Sequence, residues 1–122
     1  MLMSEMQFPA GTPLQGYGPG VFTLGGRVHR GGLMILPTGI HTWAPGLPPV
    51  PGDFEALIAA APEIDVVLVG LGAEIGVLPR ETRAALEAAG LGMDVMATPP
   101  ACRTYNVLLA ENRRVAAALL PV

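Results

Sequence analysis

Glycine and proline are spread unevenly along this chain, and that unevenness sets its architecture. Of 29 such residues, 19 fall within the first 52 positions. Proline removes a backbone donor and biases its predecessor away from helix, and glycine marks reversals. Long helices are therefore excluded from the first half, which is expected to consist of short strands and turns. Val21–Leu24, Gly25-Gly26 and Arg27–Arg30 read as a hairpin with a Gly-Gly turn. Gly31-Gly32 allows a second reversal into Leu33–Leu36, and Ile40–Trp43 reads as a further short strand. Leu47–Gly52 (LPPVPG) is an extended connector.

After residue 52 the pattern changes to alternating helix and strand. Asp53 is placed to cap a helix whose apolar face is Phe54, Leu57, Ile58 and Ala61. Asp65–Gly70 (DVVLVG) is a continuous apolar run, as expected of a strand covered on both faces. Pro79 suits the first position of a second helix and Gly90 its C′ position, with Arg83 and Glu87 an i, i+4 pair between them. Met93–Ala97 reads as a strand. Thr98, before Pro99-Pro100, is expected to cap a third helix with Ala101, Cys102, Tyr105, Leu108 and Leu109 on one face, ended by Glu111-Asn112. Val115–Leu120 completes a β-α-β-α-β series, and right-handed crossovers predict parallel neighbouring strands. Residues 1–14 are expected to be a flexible N-terminus and 15–122 one domain.

The side chains that are missing exclude much chemistry. The chain has no Lys, so P-loop, Schiff-base and lysine general-base chemistry are impossible, and its one Ser is Ser4. Net charge is −3 with scattered arginines, so neither nucleic acid nor an electrostatically docked membrane is an expected partner. The single Cys cannot form an internal disulfide. The N-terminus lacks the pattern of a signal peptide, and five prolines interrupt the longest charge-free stretch, Gly31–Gly52, so no transmembrane segment is expected. A cytoplasmic location follows. His29 and His41 lack metal-ligand spacing and read as solvated or hydrogen-bonded residues. Asp65 and Asp94 read as strand-end caps or solvated ends rather than a catalytic pair. No metal, cofactor or catalytic residue is expected.

Two places carry a sharper reading beside a plain one. Gly70-Leu71-Gly72 and Gly76 follow a strand, where glycine-rich backbone can cradle an anion, but the spacing is GxGxxxG and Pro79 lacks a donor. The plain reading is a tight turn. Cys102 lies in the first turn of a helix beside Arg103, the setting of an acidic thiol. It also shares the apolar face with Tyr105, and core packing is the preferred reading.

The stretch Ala101-Cys102-Arg103-Thr104-Tyr105-Asn106, followed by Glu111-Asn112-Arg113 and Val115-Ala116-Ala117-Ala118-Leu119, resembles the Mth938-like family, also termed DUF498. Gly16-Tyr17-Gly18, Leu36-Pro37 with Gly39, Trp43 and Val69-Gly70 with Gly72 extend the resemblance over residues 15–122. Asn112 stands where the family has Gly, and Pro99-Pro100 is unusual; Asn tolerates the left-handed conformation, so the helix cap survives. The resemblance implies a three-layer α/β domain, N-terminal hairpins and short strands followed by β-α-β-α-β, with a mixed, largely parallel central sheet. It also implies no established catalytic activity. Mitochondrial members act as complex I assembly factors through protein contacts. A non-enzymatic assembly accessory follows, with protein partners that include a membrane-complex subunit. Its functional patch is expected at Gly70, Gly72, Thr98, Cys102, Arg103, Thr104, Tyr105 and Asn106. The alternative is a small-anion-binding or cysteine-dependent redox protein using Cys102 and the Gly70–Gly72 loop. A homo-oligomer is a further expectation, since a short apolar chain can pair across a two-fold axis.

Overall fold

A computed structural model describes residues 8–122. Among these residues, eight strands and three α-helices occur in the order β1 (Leu14–Gly18), β2 (Val21–Leu24), β3 (Arg27–Arg30), β4 (Gly32–Leu36), β5 (Gly39–Trp43), α1 (Glu55–Ala59), β6 (Val66–Leu71), α2 (Arg80–Ala88), β7 (Met93–Met96), α3 (Thr98–Ala110) and β8 (Val115–Leu120). Strands β1-β2-β3 form an antiparallel sheet, with the expected Gly25-Gly26 hairpin joining β2 and β3. The other five form a mixed sheet in the order β5-β4-β8-β6-β7.

The central strands are apolar on both faces, and alternation divides their side chains between two cores. Leu33, Ile35, Leu68, Ala117 and Leu119 face α3 and the small sheet, meeting Leu14, Phe22, Leu24, Ala101, Cys102 and Tyr105. Met34, Val67, Val69, Ala116 and Ala118 face the opposite way, onto Phe54, Leu57, Leu78 and Leu86. Three layers result: α3 with the small sheet, the five-stranded sheet, and α1 with α2.

Several expectations change at this level. The parallel neighbours are β6 with β7 and β6 with β8, so β7 and β8 do not touch. A right-handed crossover through α2 carries the chain to one edge of β6; keeping that hand through α3, on the other face, returns it past β6. Gly31-Gly32 does not make a second hairpin, because β3 and β4 belong to different sheets; the chain instead changes layer there. Asp53 is not an N-cap. It sits third in a 3-10 turn, Pro51–Phe54, where its Oδ2 accepts from the N–H groups of Val50 and Gly46. Ala61 opens a separate 3-10 turn and is not part of α1. Of the N-terminal segment 1–14, residues 1–7 lie outside the described residues. Phe8 is a core residue bridged to Ile40, and Leu14 begins β1.

Both longer helices end in Schellman turns. Gly90 and Asn112 occupy the left-handed position (φ 85° and 61°), with Leu91 N–H bonded to Leu86 C=O and Arg113 N–H to Leu108 C=O. Asn112 thus does what the sequence assigns to it.

Candidate functional site

The carboxyl ends of β6 and β8 and the start of α3 converge on one side chain, Thr98. It is fully buried and is the first residue of α3; the N-cap position belongs to Ala97, so Thr98 does not cap the helix as expected. Its Oγ1 donates to Leu120 C=O (2.6 Å) and accepts from Gly72 N–H (3.0 Å), while its own N–H donates to Gly72 C=O (2.7 Å). One hydroxyl therefore ties the loop after β6 to the last residue of β8. Gly70 makes this approach possible: a Cβ there would lie 2.9 Å from Thr98 Oγ1 and 3.1 Å from Thr98 Cα. The Gly72 N–H that an anion cradle would use is already bonded to Thr98.

Four residues on, Cys102 points into the core and is 5% exposed. Burial pushes its thiol up to about 11, outweighing the lowering influence of the Arg103 charge. At neutral pH the group is a thiol, and thiolates, not thiols, are the nucleophiles. Tyr105 is likewise buried; its hydroxyl, pushed up to about 12 by burial, donates to Thr12 C=O (3.1 Å). Asn106 lies on the side of α3 that meets β1. Its amide accepts from Leu14 N–H (2.8 Å) and donates to Leu14 C=O (2.7 Å), standing in for a neighbouring strand. No local signal reveals that role, since Leu14 is 92 positions away.

The eight residues of the expected patch thus divide. Gly70 and Gly72 are brought against Thr98, while Cys102, Tyr105 and Asn106 run away from them along α3 toward the N-terminal strand. Arg103 is exposed and Thr104 half-buried on the outer side of the helix. Two clefts open on the surface, one of them reaching Tyr105 of the expected patch. One of about 250 Å3 is walled by Trp43, Asp53 and Glu55, and one of about 230 Å3 by Tyr105, Leu109, Arg113 and Arg114. Neither is lined by Gly70, Gly72, Thr98, Cys102 or Arg103. His29 is a buried strand residue with Nε2 3.0 Å from Gly32 C=O, and His41 is also buried. Asp65 is an exposed strand-end residue paired with Arg114. Among the described residues, no three His, Cys, Asp or Glu side chains gather closely enough to hold a metal. Nor is any described helix long and apolar enough to cross a membrane.

Residues 14–120 match the family described as protein of unknown function (DUF498/DUF598). The chain is 45% identical, over its full length and 94% of the other, to an uncharacterised protein of Rhodobacter capsulatus. It is 33% identical to the NADH dehydrogenase [ubiquinone] 1 alpha subcomplex assembly factor 3 of Danio rerio, a match covering 96% of this chain and 68% of that protein. Among solved structures, an outer membrane protein from Bartonella henselae superimposes with a TM-score of 0.89 at 38% identity, over 95% of this chain and 99% of that one. A Mth938-like domain from Bordetella pertussis superimposes with a TM-score of 0.70 at 28% identity, over 99% and 92%.

Proposed function

Because the chain belongs to the DUF498/DUF598 family, we propose that it is a non-enzymatic assembly accessory that grips protein subunits of a complex I-type respiratory enzyme from the cytoplasmic side of the membrane. The observation that carries this reading is the 33% identity to the Danio rerio assembly factor, which runs through 96% of this chain. The chain spans 64% of the corresponding rat protein, so what lies in the remainder of that relative is not carried over.

The chemistry of the site agrees with gripping rather than turnover. The thiol is buried and protonated, and the loop donor is engaged by Thr98. Within the expected patch, the buried members Gly70, Thr98, Cys102 and Tyr105 set the shape, while Arg103 and Thr104 offer the contact surface.

The test is genetic and biochemical together. Deleting the gene in its native host lowers NADH:quinone reductase activity of isolated membranes several-fold, with subcomplexes accumulating on native gels. Wild-type protein restores assembly, and a folded R103E/T104E variant does not. Normal membrane activity in the deletion strain, with fully assembled enzyme, overturns the proposal.

A further inference from the structure

Between β6 and α2 the chain holds two branched apolar side chains in water. Ile75 is 73% exposed and Val77 86% exposed. This is not slack chain. Gly72 is fixed by its paired hydrogen bonds to Thr98, Gly76 lies against the Leu71 side chain, and Leu78 is buried. Residues 75–79 run without a turn or bend, so Ile75 and Val77 point out while Gly76 and Leu78 face in, the period of an extended strand. Among the described residues, no hydrogen bond engages the backbone of residues 73–77. The segment has the pattern of a strand and lacks a neighbour.

Its charges say which neighbour fits. Glu74 and Arg80 bracket the segment, both exposed, and among the described residues neither has an ion-pair partner. Arg80 is the first residue of α2, where the helix dipole disfavours a positive charge. The run Glu74-Ile75-Gly76-Val77-Leu78-Pro79-Arg80 is self-complementary. Laid antiparallel on its own copy about a two-fold axis at Val77, it sets Glu74 against Arg80 twice and brings the two Val77 side chains together. A two-fold interface uses the same surface on both subunits, which is what a self-complementary segment provides.

We infer that residues 74–80 form a self-pairing edge through which two copies of this chain associate, with the Val77 residues on the axis. Sedimentation velocity of the full chain, from about 1 µM to about 500 µM, covers the affinity range of a small interface. The expected result is a concentration-dependent monomer–dimer equilibrium. An I75D/V77D variant stays monomeric throughout, with unchanged circular dichroism. E74R and R80E each weaken dimerisation about tenfold, because each reversal acts twice across the axis, and E74R/R80E restores it to within about threefold. That restoration does not depend on how the apolar variant folds. A wild-type chain that is monomeric throughout, dimerisation untouched by I75D/V77D, or a double reversal as weak as either single one overturns the inference. The association is independent of the assembly role: a wild-type chain that is monomeric throughout yet rescues the deletion strain overturns this inference alone.

Discussion

Thr98 takes part in three hydrogen bonds, two of them through its hydroxyl. Replacing Thr98 with Val keeps the shape and removes the donor and acceptor, leaving Leu120 C=O and Gly72 N–H unpaired. The expected cost is about 2 kcal/mol, read as a lower denaturation midpoint, with Thr98→Ser losing much less. Cys102 makes a different demand. Its thiol is raised from 9.0 to about 11, so folding is favoured most below the unfolded value and that contribution is lost as pH rises through the folded one. Stability should decline between about pH 9 and 11, by at most about 3 kcal/mol from this group. Cys102→Ala, whatever its cost near neutrality, should flatten that alkaline limb. Thiol labelling of the native protein at pH 8 should be slow and should become rapid only on unfolding. Rapid native labelling would show that the sulfur is accessible and would reopen the redox reading.

At the scale of elements, α3 is the part on which the others depend. Its inner face supplies Ala101, Cys102 and Tyr105 to one core, and its Asn106 completes the hydrogen bonding of Leu14. Asn106→Ala should cost about 1–2 kcal/mol and should speed amide exchange at Leu14 far more than at residues of β6. The turn that ends α3 offers the opposite change: Asn112 has φ 61°, which glycine adopts more readily, so Asn112→Gly should stabilise by a few tenths of a kcal/mol. Most of these elements are legible in the sequence. The i, i+3, i+4 spacing of Ala101, Cys102, Tyr105, Leu108 and Leu109 gives α3 and its buried face, and the run from Val66 gives a two-sided strand. β1 is not legible, because LQGYG carries little apolar pattern and owes its place to a partner at Asn106. The roles of Asp53 and Thr98 are both misread: Asp53 turns its carboxylate back onto the N–H groups of Val50 and Gly46, and Thr98 reaches far along the chain. Both precede helical patterns and look like local caps, yet Thr98 bonds to backbone 22 and 26 positions distant. A hydroxyl chooses among acceptors that only the folded chain assembles.

For the whole molecule, what joins the antiparallel and parallel halves of the five-stranded sheet is β8, lying between β4 and β6. An exposed cluster reinforces the same junction: Asp65, just before β6, accepts from the Arg114 backbone N–H and guanidinium, just before β8. Those bonds hold the Asp65 carboxyl below its ordinary 3.8, so its contribution is present above that value and is lost as pH falls toward the lower folded value. The stability advantage of the wild type over Asp65→Asn should therefore be present near pH 6 and shrink as pH falls to about 2, measured by thermal melts of both chains. The candidate site is less legible than the fold at this scale. The resemblance marks α3, but most of the marked side chains hold the molecule together, and the exposed Ile75 and Val77 belong to no motif. The position of β8 also has a temporal meaning. Among the described strands it comes last in chain order, and until it is made the β4-β5 pair and the β6-β7 pair share no edge. A nascent chain stalled before residue 115 would therefore present two open sheet borders, at β4 and at β6, to whatever chaperone stands at the exit tunnel.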